Sequence, residues 1–124
     1  MKRVYSLKGK KSYSKVFVKG RKKKGKGVVV FVLKDNTIEE TDNQGNIKKI
    51  KVGISISKKI GKANKRNLLK RRVRSICHEL LNDMNDGLSV IVKPYPESLY
   101  MSYSELKSDI EGLFRYTGVI NEKS

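Results

Sequence analysis

The chain has 124 residues, 37% of them hydrophobic, which is enough to close one core without disulfide or metal staples, while a formal charge of +17 is too large for ordinary solubilising surface. The excess is one-sided: residues 1–74 hold 25 basic and 4 acidic side chains, residues 75–124 hold 4 and 8. One cysteine, Cys77, excludes an internal disulfide, and no apolar run approaches the roughly 20 residues of a membrane-spanning helix.

One domain spanning residues 1–124 is expected, with a polyanionic partner. No segment combines Lys and Arg with Trp and Phe as interfacial helices do, so nucleic acid is favoured over a membrane surface. The opening MKRVYSLKGKK lacks the apolar stretch of a secretory signal, and the lone cysteine suits a reducing compartment, so a cytoplasmic location is expected.

Along the chain, Ser12 is positioned to cap a short helix carrying Tyr13, Val16 and Phe17 at i, i+3 and i+4, which stops near Gly20. Residues 20–27, GRKKKGKG, set three glycines among five basic residues and read as a mobile basic loop. Residues 28–34, VVVFVLK, form a β-branched run suited to a central strand covered on both faces. Residues 35–46 gather turn formers and acids as a surface hairpin tip. IKVGISIS then alternates: Ile50, Val52, Ile54 and Ile56 point one way, Gly53, Ser55 and Ser57 the other.

From Ala63 to Met84 the period becomes helical, with Leu69, Val73, Ile76, Cys77, Leu80 and Met84 in one stripe and Asn67, Lys70, Arg71, Arg74 and His78 opposite. NDMNDG ends this helix, LSVIVK at 88–93 is a second buried strand, and Pro94 and Pro96 end that strand. Ser102 and Glu105 have capping-box spacing and open a last helix with Tyr103, Leu106, Ile110, Leu113 and Phe114 inward. The order is α-β-β-β-α-β-α, an α/β fold of the α+β two-layer sandwich type. The basic helix crosses between the GISIS and LSVIV strands, a connection that the general rule makes right-handed.

Residues 58–74, KKIGKANKRNLLKRRVR, contain nine basic side chains and no acid. Arg66, Asn67, Lys70, Arg71 and Arg74 combine guanidinium forks, which grip phosphate bidentately, with an amide that can read a base edge or a ribose hydroxyl. A merely solvated helix would mix Glu with Lys for i,i+4 support, and here no acid precedes Glu79. The segment reads as a nucleic-acid contact helix. Phe17, between Lys15 and Lys19, is the best candidate for stacking on unpaired nucleotides, whereas Tyr13 and Phe31 suit core packing at least as well. Cys77 and His78 are neighbours without further ligands at metal-site spacing, and no Ser or carboxylate pairs with His78. No catalytic residue and no metal site are expected in the protein.

The run VGISISKKIGKANKRNLLKRRVRSI resembles, almost position for position, the signature of the bacterial ribonuclease P protein subunit, whose RNR region reads strand, KK-x-G-x-A, RN, two spacers, KR and a further Arg. Lys58, Lys59, Gly61, Ala63, Arg66, Asn67, Lys70, Arg71 and Arg74 match it. YSLKGKKSYSKVFVKG is similar to the family's first helix, LSVIVKPYPES to the strand and turn after the RNR helix, and LYMSYSELKSDIEGLF to its last helix. Asn64 and Lys65 stand where an apolar pair is often seen, and the turn at 37–46 is unusually acidic.

The resemblance implies one RNA-binding domain around a central four-stranded sheet, with a left-handed βαβ crossover in place of the right-handed default. It implies RNA contact through Lys58, Lys59, Lys62, Arg66, Asn67, Lys70, Arg71 and Arg74, and a groove for the 5′ leader of precursor tRNA formed by Tyr13, Lys15, Phe17, Phe31 and Ser55. It further implies that the partners are the catalytic RNA of ribonuclease P and precursor tRNA, with no membrane and no small-molecule substrate. The chemistry would be the RNA's, through Mg2+ bound by the RNA rather than the protein. A basic DNA- or ribosome-binding module, or a stand-alone nuclease, are the alternatives to that reading.

Overall fold

A computed structural model describes residues 5–35 and 50–122. The elements are helix α1 (Lys10–Lys19), strands β1 (Arg21–Lys24), β2 (Val28–Lys34) and β3 (Ile50–Ile54), helix α2 (Ala63–Leu80), strand β4 (Leu88–Pro94) and helix α3 (Tyr103–Thr117), in the expected order. The four strands form one sheet in the order β1-β2-β4-β3. β2 is antiparallel to both neighbours, and β3 runs parallel to β4. The expected hairpin tip at 35–46 lies almost wholly outside the described residues.

Alternation along the strands sorts the sheet into two faces. Val28, Val30 and Val32 of β2, Ile50 and Val52 of β3, and Val90 and Val92 of β4 meet Leu69, Val73, Ile76, Leu106, Ile110 and Phe114 from α2 and α3 in the main core. The opposite face carries a smaller cluster, Val16 of α1 and Leu7 against Ile91, with Tyr13, Phe17, Phe31 and Leu33 packed around it. The VVVFVLK run is therefore continuous in apolar character because both of its faces are covered.

The connection β3-α2-β4 is left-handed. Viewed from the α2 face with β3 running upward, an L-residue facing the viewer turns its own N–H and C=O to the right. Val52 faces that way and accepts from the Leu7 N–H, while the next outward-turning set bonds β4, as in Ser55 N–H to Val92 O. β4 thus lies to the left, and a chain that crosses in front toward the left winds left-handed, against the general preference for such units.

Two local expectations need correction. Helix α1 begins at Lys10 with Gly9 as its N-cap and no side-chain cap, so Ser12 lies inside the helix. The stretch at 20–27 is not a free loop. Arg21–Lys24 pair with β2 in the register Arg21↔Val32 to Lys24↔Val29, and the hairpin is fastened from more than 80 residues away. Asp109 of α3 accepts from the N–H groups of Lys26 and Gly27, both at 2.9 Å, and the Arg21 guanidinium donates to Thr117 O at 2.7 Å. Gly25 backs directly onto the Asp109 carboxylate, leaving no room for a Cβ. The last helix opens as expected: Ser102 Oγ accepts from Glu105 N–H and Glu105 Oε1 accepts from Ser102 N–H, a reciprocal cap worth about 1 kcal/mol.

Candidate nucleic-acid interface

The basic segment folds as a 3₁₀ turn at Lys58–Ile60 followed by α2. Ser57 Oγ accepts from Lys59 N–H to start the turn, and Ile60, 4% exposed, anchors it in the core. That anchor explains how Asn64 and Lys65 can be exposed in the first turn of α2 where an apolar pair is often seen. Leu69, Val73, Ile76, Cys77 and Leu80 are buried, which turns Asn67, Lys70, Arg71, Arg74 and His78 to solvent as the pattern requires.

Lys58, Lys59 and Lys62 are exposed at the helix start. Arg66 is half-buried in the first turn of α2. It lines a cleft of about 430 Å³ with Asn67, Lys70, Ala63, Ile54 and Ile56, and its Nε is buried with no hydrogen-bond partner among the described residues. No acidic side chain among the described residues forms an ion pair with Arg66, Lys70, Arg71 or Arg74; Glu79 pairs instead with Lys107 of α3 at 2.8 Å, and Glu111 pairs with Arg115 within α3 at 3.1 Å. Glu79, the first acid of α2, is thus turned to α3, where the Lys107 ammonium and the Tyr103 hydroxyl hold its carboxyl below the usual carboxylate range. No carboxylate among the described residues compensates the α2 cations.

On the opposite face of the sheet α1 lies across β2 and β4. Phe17 and Phe31 meet edge to face with centroids 4.8 Å apart, and Tyr13 stands 6.5 Å from Phe17. All three rings are half-buried, so they are at once packed and open to a ligand. Tyr13 reaches over Gly53 so closely that a Cβ there would sit 2.6 Å from its hydroxyl oxygen. Burial raises the Tyr13 pKa, and a backbone hydrogen bond with Ile54 opposes that rise. Ser55 continues the β3 ladder through its N–H to Val92 O and falls on this face beside Lys93. Lys15 is exposed on α1. The two surfaces share one stretch of chain: Ile54 and Ile56 line the Arg66 cleft, and Ser55 between them faces the groove.

Sequence reading did not single out Lys93, whose ammonium lies 6.0 Å from the centroid of the Phe17 ring. The signal was the alternation of LSVIVK, which puts Lys93 two residues beyond Ile91 on the groove face. Cys77 is fully buried, which pushes its thiol up to about 12 and makes it an inert core residue. No three of His, Cys, Asp and Glu gather as a metal-binding group among the described residues.

The fold and its surfaces define a small basic α/β protein with a cationic helix face, unpaired by carboxylates among the described residues, on one side of its sheet and a cluster of half-buried rings on the other, the features that a nucleic-acid-binding protein presents. A family model described as ribonuclease P matches residues 1–118. The ribonuclease P protein component of Symbiobacterium thermophilum is 30% identical over 123 residues, covering 99% of each chain, and that of Bacillus anthracis is 30% identical over 124 residues, covering 100% of this chain and 97% of the other. Among solved structures, the Staphylococcus aureus RNase P protein superposes with a TM-score of 0.78 at 23% identity, covering 94% of this chain and 98% of the other. The Thermotoga maritima RNase P protein superposes with a TM-score of 0.73 at 21% identity, covering 90% and 96%. The chain belongs to the ribonuclease P protein family and is a protein subunit of that endoribonuclease. No helix among the described residues is long and apolar enough to cross a membrane.

Proposed function

We propose that the protein binds the catalytic RNA of ribonuclease P through Lys58, Lys59, Lys62, Arg66, Asn67, Lys70, Arg71 and Arg74, and the single-stranded 5′ leader of precursor tRNA in the groove of Tyr13, Phe17, Phe31, Ser55 and the flanking Lys15. The observation that carries this reading is the cationic face of α2, which no carboxylate among the described residues neutralises. Self-repulsion on that scale is relieved when phosphates supply the counter-charge. Arg66 supports it further, because a buried donor without a partner costs about 1–3 kcal/mol, and a phosphate oxygen in the adjacent cleft would satisfy it.

The division of labour follows from the side chains. Guanidinium and ammonium groups on α2 screen phosphate repulsion where two RNAs converge, Asn67 offers an amide to a base edge or ribose, and the rings accept unstacked bases. No constellation suited to proton transfer or nucleophilic attack is present among the described residues, and a protein-held magnesium centre does not suit their donor set. Bond cleavage is assigned to the RNA subunit and its Mg2+, and the protein works in the cytoplasm, where its substrates are made.

Reconstitution tests this. The protein mixed with catalytic RNA should cleave precursor tRNA at low magnesium concentration, and the protein alone should not; cleavage by the protein alone would assign the chemistry to it. Arg66→Ala should weaken engagement of the catalytic RNA for every substrate. Phe17→Ala should instead reduce the preference for precursor over mature tRNA, and equal loss on both would remove the groove assignment.

A further inference from the structure

The strand register extends the groove face beyond the aromatic cluster, to residues that neither the RNR pattern nor the leader groove includes. Cross-strand partners share a face of the sheet. The pairs Lys24↔Val29 and Val29↔Lys93, continued by Ser55 one residue past β3, form one row across the sheet. The neighbouring row is Lys22, Phe31, Ile91 and Gly53. At about 4.8 Å per strand, the first row spans roughly 14 Å from Ser55 to Lys24.

Two rings, each with an amine of this row against it, flank the row. Lys93 stands against Phe17, and two residues further along the same extended chain Tyr95 lies beneath Lys24, whose ammonium is 5.0 Å from the ring centroid. Tyr95 is half-exposed and Lys24 exposed, so this second ring and its cation face solvent in the way that Phe17 and Lys93 do. The edge strand that presents Lys22 and Lys24 is held in place by Asp109 and Arg21, so both lysines project from a fixed ladder. No carboxylate belongs to either row.

We propose that Tyr95 and Lys24, with Lys22 beside them, form a second nucleotide subsite: Tyr95 stacks a base and the lysines take the adjoining phosphate, which carries a single-stranded RNA past Phe17 to the β1 edge of the sheet. The proposal rests on the leader reading given above and deepens it by assigning the far end of the strand's path. A single strand is the occupant because stacking on a ring needs an unpaired base, whereas a duplex would engage the lysines alone.

The test uses the holoenzyme, reconstituted from catalytic RNA and protein, and a series of precursor tRNAs whose leaders lengthen one nucleotide at a time. With the unaltered protein, affinity should rise with leader length until the strand reaches Tyr95 and then level off. In Tyr95→Leu the last gain should vanish, a loss of about fivefold or more confined to the longer leaders. Lys24→Gln should reproduce part of it, with affinity for the shortest leaders and the thermal midpoint unchanged. A Tyr95→Leu profile that levels off at the same length and height as the unaltered protein overturns the subsite, and so does equal loss at every length. Absence of any leader dependence in the unaltered protein would instead defeat the underlying groove reading, so the two failures are distinguishable. A purely bracing role for the Lys24–Tyr95 contact would lower the thermal midpoint and leave the length profile intact, which also overturns the proposal.

Discussion

Replacing Asp109 with alanine isolates the long-range fastening that turns a glycine- and lysine-rich stretch into a strand. The carboxylate accepts two backbone N–H groups at 2.9 Å, one from Lys26, which is exposed, and one from Gly27, which is buried. In the variant the Lys26 N–H can turn to water at a cost of about 0.5 kcal/mol, whereas the Gly27 N–H stays covered and costs about 1–3 kcal/mol unsatisfied. The sum is about 2 kcal/mol, which for a domain of this size lowers the thermal midpoint by about 8 °C. Denaturant unfolding measures the total, and native-state hydrogen exchange locates it: the amides of Lys26, Gly27 and the paired residues of β1 should exchange faster, while those of β3 and β4 keep their relative protection. A free energy within about 0.5 kcal/mol of the parent, or unchanged exchange in the turn, would refute the argument that Asp109 holds the hairpin.

Gly53→Ala should force the Tyr13 ring away from the sheet, since the new methyl would sit 2.6 Å from its hydroxyl oxygen, and should cost about 1–2 kcal/mol of stability. A tyrosine titration followed by NMR should show the Tyr13 pKa returning toward its ordinary value as burial is lost; an unmoved resonance would count against the close approach. For Cys77, burial raises the folded-state pKa to about 12 against an ordinary 9.0, so between these values the unfolded chain loses the proton and the native state keeps it. The thiol's contribution to stability should therefore be constant well below pH 9 and be lost as pH rises toward 12, and Cys77→Ala should remove that part of the alkaline fall; an identical alkaline slope in both proteins would contradict the assignment.

The elements that follow from their own residues were the ones readable in advance. Residues 28–33 and 90–92 are apolar throughout because each strand is covered on both faces, and α2 shows its buried stripe and its charged face in a single helical period. The cap of α3 was legible because both partners of the reciprocal hydrogen bonds lie within four residues. β1 was not. Its run of basic residues between Gly20 and Gly25 disfavours a strand locally, and the groups that overrule this, Asp109 and Thr117, are more than 80 residues away. Handedness likewise follows from which edge of β3 faces the N-terminal segment, and no local pattern encodes that. At the candidate interface, Phe17 and the cations of α2 were visible from spacing alone, whereas Lys93, Tyr95 and Lys24 converge only when the register is known.

Ile54 and Ile56 touch the cleft of Arg66 while Ser55, between them, looks to the other side of the sheet. Two peptide units join these three residues, and Ser55 is tied to β4 through its N–H to Val92 O. In the proposed assembly one extended segment therefore serves both RNAs, and inserting a single residue after Ile54 should turn the side chains beyond it to the wrong faces, weakening engagement of the catalytic RNA and of the leader together.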